Sequence, residues 1–315
     1  MRAPEEHFAK LFSVKRSPGI YVEIMIQDNL ENIWRLTQEP DLHQRWDLRF
    51  SQIQYLPRTS SAEPQRFLYE TRLGLGLNIK GTGESVGQRA GANGDTTSSL
   101  KFASADPKSL IRAGSGYWRY VPTNAGLRFF TWYDYEVRFG VLGRLVDHVL
   151  FRPWMGWATA WSFDRLRLWA EDDQSPESSR NLALIHATAR LSIAAIWIWH
   201  GLVPKLLYRQ IDEQTMLTQA GVSLSLLPII GAGEILLGIL ILCTWNVRAI
   251  FVTNAILMVL AFLAVAAKSP VYLKAAFNPV SLNFAIIALS IVGWLASRKL
   301  PSSRRCRRED PKGQE

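Results

Sequence analysis

The sequence predicts an α+β domain followed by an all-α bundle of four transmembrane helices. The first 180 residues hold 23 Lys or Arg and 21 Asp or Glu, the mixed charge of a water-soluble domain. Residues 181–315 hold 13 Lys or Arg and 6 Asp or Glu, around four long apolar runs. Short stretches of alternating polarity, typical of strands, occur in the first part. The chain then divides into an extension (1–17), the α+β domain (18–170), a linker (171–184), the bundle (185–297) and a basic tail (298–315).

The α+β domain begins with the strand IYVEIMI, residues 20–26. Asp28 predicts the N-cap of the next helix, because Glu31 three residues later completes a capping-box pattern. A meandering antiparallel sheet is expected to follow, because its strand-like stretches are separated by turns rich in Gly, Asn, Asp and Pro. These stretches are IQYL, RFLYETRL, LNIKGTGESV, TSSLKFAS, SGYWRYV and LRFFTWYDYEVRF. A long helix closes the domain, in RPWMGWATAWSFDRLRLWAE.

The phrase IWRLTQEPDLHQRW, residues 33–46, combines a helix, a proline and a tryptophan at a characteristic spacing. With the strands and the final helix, it resembles the SRPBCC superfamily (START-like or polyketide-cyclase-like) over about residues 18–170. The resemblance implies a helix-grip fold, in which the sheet curls around the last helix and leaves an apolar cavity. It also implies a hydrophobic small molecule or a lipid as the ligand.

Aromatic residues are the candidates for lining such a cavity, because ligand pockets are built mainly from apolar and aromatic side chains. Three tryptophans of the last helix recur at helical spacing, and such a stripe more often packs in a core than contacts a ligand. The candidate set is Trp118, Trp132, Tyr133, Trp154, Trp157 and Trp161.

The α+β domain shows no catalytic constellation in its sequence. The run GLGLNIKGTG, residues 74–83, is glycine-rich, but no helix pattern follows it, so a β-hairpin is favoured over a nucleotide-binding loop. We interpret His43 and His148 as ordinary surface or satisfied residues, and the five histidines show no metal-ligand spacing. Cys243 and Cys306 favour neither a disulfide nor a metal site. No metal and no cofactor are expected, and the sequence leaves open whether any reaction is catalysed.

Four apolar runs predict the membrane spans, at residues 190–207, 222–244, 249–267 and 280–297. Each is close to the ~20 residues that cross a hydrocarbon core of ~30 Å. Four crossings place both termini on one side, and the positive-inside rule makes that side the cytoplasm of a plasma or inner membrane. The first thirty residues contain no signal-peptide pattern, which agrees. The basic residues of the cytoplasmic side include Arg180, Arg190, Arg248 and the cluster at 298–308.

Polar residues within these runs are functional candidates, because ionisable groups are costly inside a bilayer. His200 and Glu234 both lie about 15 Å from the cytoplasmic ends of neighbouring runs, counted at 1.5 Å per residue. Glu234 is expected to pair with His200 or with Lys205, and a purely structural bond between helices is an equal alternative. A lone Lys205 would more often reach towards the interface. The candidates are His200, Lys205, Glu234, Asn254 and Asn283.

Three motifs occur in order along these runs. They are Gly201-x-x-Pro204-Lys205, Gly231-x-x-Glu234-x-x-x-Gly238 and Phe277-Asn278-Pro279-x-Ser281-x-Asn283. Over about residues 185–297 they resemble the DoxX-like family of four-helix membrane proteins. That family takes its name from a small membrane subunit associated with thiosulfate:quinone oxidation, and the resemblance implies a fold more strongly than an activity.

Three functions follow from these expectations. The first is a membrane-tethered binding protein, with the bilayer and a lipophilic small molecule or lipid as partners, joined by a short flexible linker. The second is a quinone-associated or redox-associated membrane subunit in which Glu234 and His200 relay protons and a membrane redox partner supplies the electron carrier. The third is an enzyme similar to polyketide cyclases and aromatases. Nucleic-acid binding is not expected, because seven basic residues lie in a tail, 298–315, that has no aromatic residue.

Overall fold

The computed structural model describes residues 19–60, 63–74, 76–91, 94–275 and 278–309. The chain divides into unit 1 (Met1–Glu177 with Pro301–Glu315) and unit 2 (Ser178–Leu300). The predicted extension 1–17, Phe277 of the third motif and the last six residues of the predicted tail lie outside the described residues.

The described residues of unit 1 form one seven-stranded antiparallel sheet. Its strands are β1 Ile20–Ile26, β2 Gln52–Tyr55, β3 Gln65–Gly74, β4 Leu77–Ala90, β5 Thr96–Ala103, β6 Ile111–Thr123 and β7 Gly126–Val137. The strand order is β1-β7-β6-β5-β4-β3-β2, so β2 to β7 form the predicted meander and β1 pairs with β7. The hairpin predicted for the glycine-rich run is confirmed, because β3 and β4 are antiparallel neighbours.

The helices of unit 1 are α1 Leu30–Gln38, α2 Pro40–Trp46, α3 Gly140–Val146 and α4 Arg152–Asp172, with a π-helical turn at Asp147–Phe151. The N-cap of α1 is Asn29, whose side chain accepts a hydrogen bond from the backbone N–H of Asn32. The prediction of Asp28 at this position is wrong. The carboxylate of Asp28 accepts instead from the backbone N–H of Asn29 and the side-chain amide of Asn32.

The core of unit 1 lies between the sheet and α4, which confirms the predicted helix-grip arrangement. Phe163 of α4 packs on Phe129 of β7, with their ring centroids 4.6 Å apart. Trp46 is fully buried 6.2 Å from Phe163, and its indole N–H donates to the carbonyl of Leu36. The predicted tryptophan of the IWRLTQEPDLHQRW phrase therefore anchors the helical pair on the last helix.

The chain returns to unit 1 after unit 2. The backbone N–H of Ser302 donates to the buried carboxylate of Asp164, at 2.7 Å. Arg307 and Glu23 exchange two backbone hydrogen bonds of 2.9 Å in an isolated antiparallel bridge. Cys306 is buried against α4. Residues 301–309 are thus part of a folded unit, which differs from the separate basic tail expected at 298–315.

The connection between the two units is shorter than the predicted linker 171–184. Helix α4 ends at Asp172 and α5 begins at Pro176, so only residues 173–175 lie between them. Asp173 adopts a left-handed conformation that ends α4, and Pro176 begins α5 at the position where a missing N–H is tolerated. A flexible tether was expected from the acidic, Ser-rich composition, but most of the segment is helical.

Unit 2 is helical. Its helices are α5 Pro176–His200, α6 Ile211–Gln219, α7 Leu227–Cys243, α8 Ala249–Lys268 and α9 Pro279–Ala296, with a π-helical turn at Gly201–Leu207. Four stretches of the described residues are long and apolar enough to cross a membrane: Pro176–Leu207, Leu224–Cys243, Ala249–Lys268 and Pro279–Ala296. They coincide with the four predicted runs. At most a third of each apolar window is buried, so most of its side chains face outwards, as lipid contact requires.

Candidate functional site

Unit 1 contains a cavity of about 810 Å³ between the sheet and the helices. Its wall is mainly aliphatic and aromatic, and it comes from the end of α1, from α2, the strands β2 to β7, α3 and the start of α4. This volume lies within the ~300–1,000 Å³ of pockets that hold small organic ligands. The aromatic lining residues include Phe67, Tyr69, Phe102, Trp118, Tyr133 and Trp154.

Three of the six predicted aromatic candidates line this cavity, namely Trp118, Tyr133 and Trp154. Trp132 is not among the lining residues, because successive strand residues face opposite sides of a sheet and its neighbour Tyr133 faces the cavity. Trp157 and Trp161 are not lining residues either, and they stack on each other 6.2 Å apart.

A polar cluster of three residues lies at one place in the cavity wall. The guanidinium of Arg49 donates to both carboxylate oxygens of Asp47, at 2.9 and 2.6 Å. The Nε2 atom of His43 lies 3.0 Å from the same carboxylate, while its ring stacks on Trp46. His43 and Arg49 line the cavity, and Asp47 is fully buried behind them.

The charge states of this cluster follow from burial and pairing. Burial lowers the pKa of His43, although the hydrogen bond to Asp47 partly opposes this. Burial alone would raise the pKa of Asp47, but the charge of Arg49 and the hydrogen bonds from His43 and Arg49 hold it well below its usual value. At neutral pH the cluster is therefore an Asp–Arg ion pair beside an uncharged imidazole. The Arg49 guanidinium of this cluster is a hydrogen-bond donor in the cavity wall.

The sequence interpretation of His43 as a surface or satisfied residue missed this role. His43 and Asp47 are four residues apart and therefore share one side of α2 and its end. That spacing was the available signal. It is weak, because such pairs are common on exposed helices.

The glycines of GLGLNIKGTG shape another part of the wall. Tyr69 and Phe67 of β3 lie directly opposite Gly81 and Gly83 of β4. A Cβ atom at either glycine would overlap the ring of its partner. The two aromatic rings can therefore lie across β4 and line the cavity. Burial raises the pKa of Tyr69 to about 12, so its hydroxyl stays protonated as a donor.

An ion cluster lies within unit 2. The Nζ atom of Lys205 lies 3.0 Å from a carboxylate oxygen of Glu234 and 3.2 Å from one of Glu213 on α6. Lys205 is buried. Of the two partners that the sequence leaves open for Glu234, the structure places Lys205 beside it. His200 approaches the cluster through its backbone carbonyl, 3.5 Å from the Lys205 amine.

Close helix packing brings these charges together. Gly201 and Gly231 pack so closely that a Cβ at Gly231 would lie 2.8 Å from the carbonyl oxygen of Gly201. Glu234 follows one turn after Gly231, and Lys205 one turn after Gly201. Pro204 lies within the π-helical turn, where the widened backbone accommodates its missing N–H.

Asn254 joins three spans of unit 2. Its side-chain oxygen accepts from the indole of Trp197 on α5 at 2.7 Å, and its amide donates to Ser290 on α9 at 2.8 Å. Asn283 is buried on α9. The role of Asn254 is that of an interhelical hydrogen-bonding group.

Arg190 is fully buried in unit 2 and is not the exposed loop charge that the orientation argument assumed. Its guanidinium donates to the carbonyl oxygens of Ile241, Thr244 and Val247, at the C-terminal end of α7. It also lies 4.7 Å from the ring centroid of Phe251. The side chain supplies donors to carbonyls in the last turn of α7 and in the loop that follows it.

The sequence profile of the DoxX-like family matches residues 194–291. The uncharacterized membrane protein YndG of Bacillus subtilis (strain 168) is 48% identical over 187 residues, which are 59% of this chain and 69% of that protein. The chain belongs to the DoxX-like family. It is a membrane protein with four candidate spans among its described residues.

Solved structures are similar to part of this DoxX-like protein. The STAR-related lipid transfer protein (fragment 25–204) of Xanthomonas axonopodis is 14% identical, and the match covers 49% of this chain and 87% of that one, with a TM-score of 0.37. The di-domain ARO/CYC StfQ of the steffimycin biosynthetic pathway is 16% identical over 49% of this chain and 51% of that one, also at 0.37.

The family match covers the polar groups of the DoxX-like unit. It includes His200, Lys205, Glu234, Asn254 and Asn283. Arg190 and Glu177 precede it. The ion cluster and the Asn254 bonds thus lie within the part of the chain that defines the family, and the cavity lies outside it.

Proposed function

We propose that this DoxX-like protein is a membrane-tethered binding protein for a lipophilic small molecule or a lipid. The observation that supports the proposal is the cavity of about 810 Å³ in unit 1, with its mainly apolar wall. A space of that size and lining gains free energy when an apolar molecule displaces its water.

The polar cluster indicates which part of the ligand is polar. Asp47 neutralises Arg49, and burial keeps His43 uncharged, so the cluster carries no net charge. A buried ligand group with a full charge would meet no free countercharge there, which is unfavourable. A hydroxyl or carbonyl oxygen, in contrast, can accept a hydrogen bond from the guanidinium of Arg49, which lines the cavity. We therefore expect an apolar ligand with one uncharged oxygen-bearing end.

Unit 2 is joined to unit 1 at both of its ends, and both connections should lie on one side of the membrane. Unit 1 contains residues from both sides of unit 2 along the chain, so unit 2 must cross the bilayer an even number of times. Four spans meet this condition. Arg190 is buried and does not count as a loop charge. The remaining basic residues still favour the cytoplasm for that side, namely Arg180, Arg248, Arg298 and Lys299. Fusion of a reporter enzyme that is active only outside the cytoplasm to the C-terminus should give no activity.

The binding proposal is tested by native mass spectrometry of the full chain purified in mild detergent. We expect an additional bound mass from an apolar compound. In Leu100→Trp, a bulky ring occupies part of the cavity, because Leu100 is a lining residue of β5, and the bound mass should decrease. Lys101→Trp is the matched control, since Lys101 is the exposed neighbour on the opposite face. An empty wild-type protein, or equal loss in both variants, would contradict the proposal.

A second candidate function is the quinone-linked role of unit 2. The observation that favours it is the buried Lys205 between Glu213 and Glu234, since such ionisable groups within spans often serve proton relays. The electron carrier would come from a membrane redox partner. Quinone reduction by membranes that contain Glu234→Gln should then fall below wild type. Unchanged quinone reduction, with equal amounts of protein in the membrane, would rule this function out.

A further inference from the structure

Unit 1 has an apolar surface that the cavity does not explain. It runs along α3, the π-helical turn and the start of α4, and its exposed side chains are between 39% and 68% accessible. We call it the outer ridge, defined by Leu142, Leu145, Val149, Leu150, Trp154 and Trp157. Soluble domains seldom expose so many apolar side chains together unless the surface binds a partner.

The outer ridge is held in this orientation from within. Phe139 and Gly140, at its start, are two successive residues in the left-handed region. Asp147 is buried under the ridge, where it accepts hydrogen bonds from the hydroxyl of Tyr135 at 2.8 Å and from Nε of Arg152 at 2.9 Å. The polar group of the segment therefore points inwards and its apolar groups point outwards, which reverses the usual pattern of a surface helix.

The ridge also contributes lining residues to the cavity. Leu142 and Trp154 are exposed and line the cavity as well. Phe139, Val146 and Phe151 of the same segment are further lining residues. Whatever covers the outer ridge therefore also contacts exposed lining residues of the cavity.

The charges on the ridge suit a lipid surface. Between Phe139 and Trp161 the exposed ionisable residues are Arg144 and His148, and the one carboxylate of this stretch, Asp147, is buried. A basic rim with no exposed carboxylate is attracted to anionic headgroups. Tryptophans are enriched at the headgroup level of a bilayer. Trp154 and Trp157 of the ridge, together with Trp161, recur along α4 at helical spacing.

The bilayer is the partner surface that these features of the ridge favour, because the same chain also contains the candidate membrane spans. Helix α4 passes into the first candidate span through residues 173–175 alone. We propose that the outer ridge docks at the headgroup–acyl boundary of the membrane that holds unit 2, with α4 lying along the membrane surface. The mouth of the cavity then opens directly to lipid. This interaction surface goes beyond ligand binding and does not depend on it.

The test uses the full chain in lipid nanodiscs, in a Cys243→Ser background, because Cys243 is exposed and Cys306 is buried. An environment-sensitive fluorophore is attached at Leu145→Cys or at Val149→Cys, on the ridge. Lys101→Cys, on the exposed face of β5, is the control. Lipids with a spin label near the headgroup end of the acyl chain should quench the two ridge probes. The apolar surroundings of the membrane should also shift the emission of both probes to the blue. The control probe should show neither change.

A second variant separates docking from chance proximity. Leu142→Glu with Val149→Glu places two carboxylates on the ridge, where exposed substitutions perturb folding little. Lipid quenching of the probe at Leu145→Cys should be lost in this variant. Absence of quenching in the parent, equal quenching at Lys101→Cys, or a blue shift that depends on protein concentration and not on lipid would overturn the proposal. The last outcome would indicate a second copy of the chain. If quenching occurs while native mass spectrometry finds no ligand, the docking surface stands and the binding function fails.

Discussion

At the scale of single residues, burial keeps His43, one of the polar residues of the cavity wall, uncharged. Burial lowers the pKa of His43 below its ordinary value of 6.5, so the unfolded chain binds a proton more readily there than the folded one. The stability that neutral His43 contributes is therefore present above pH 6.5 and is lost as the pH falls below it.

The first prediction concerns this pH dependence. The thermal unfolding temperature of the detergent-solubilised protein should fall between pH 7 and pH 5, because protonation favours the unfolded chain at His43. His43→Gln should flatten that decline. His148→Gln, at an exposed histidine of the same unit, is the matched control variant. An equal decline in wild type and His43→Gln would contradict the assignment.

A substitution of His43 also distinguishes a cyclase-like enzyme from a protein that only binds its ligand. A reaction that requires proton transfer in the cavity would use the His43–Asp47 pair, the arrangement in which a carboxylate orients an imidazole. His43→Gln would then abolish product formation from a polyketide substrate while the substrate still binds. A protein that only binds its ligand shows no product with either side chain.

The second prediction concerns Arg190. Arg190→Met should destabilise unit 2, because it removes the guanidinium donors to three backbone carbonyls, at a cost on the order of 1–3 kcal/mol for each buried group left unsatisfied. Unfolding in detergent, followed by circular dichroism, measures the change. Arg180→Met lies on the same helix at an exposed position and should be nearly neutral. Equal stability of the two variants would show that the buried guanidinium does not contribute to the stability of unit 2.

At the scale of elements, alternation and turn chemistry predicted the sheet well. Each strand is bounded by residues that favour turns, and β1 to β7 pair as a local meander plus one return strand, so few alternatives compete. The N-cap was misplaced by one residue because Asp28 and Asn29 are both good caps and only the backbone conformation distinguishes them. The return of residues 301–309 to α4 could not be predicted, since a short basic stretch carries no periodicity.

The candidate site was predicted only in part, for a similar reason. The aromatic character of the cavity follows from composition, but the direction of Trp132, Trp157 and Trp161 depends on register and helix rotation, which the sequence does not specify. Lys205 approaches Glu234 from the π-helical turn at Gly201–Leu207, and the sequence pattern did not predict that turn.

The third prediction concerns the β3–β4 hairpin. Gly81→Ala or Gly83→Ala should force the ring of Tyr69 or Phe67 into the cavity, with a loss of ~1–3 kcal/mol typical of overpacking and a weaker ligand signal in native mass spectrometry. Gly87→Ala on the same strand meets open space and is the control. Full ligand retention in both glycine variants would show that the two rings do not define the wall.

At the scale of the whole molecule, unit 1 is completed by two separate stretches of chain. Truncation after residue 300 removes Ser302 and Arg305, two partners of the buried Asp164, and the backbone bridge to Glu23. The fourth prediction is a lower unfolding temperature and faster proteolysis of unit 1 in this variant, because a buried carboxylate loses hydrogen bonds. Truncation after residue 309 keeps all these contacts and should behave as wild type. If both truncations match wild type, the returning segment contributes nothing to stability.

The returning segment also imposes an order on biosynthesis. The ribosome makes residues 301–309 after every hydrophobic helix has been made, so unit 1 cannot acquire its final bridge between Glu23 and Arg307 earlier. A nascent chain whose last helix stays out of the bilayer leaves Ser302 on the wrong side of the membrane and α4 without its closing contacts. Unit 1 therefore completes its fold only after the four candidate spans have been synthesised.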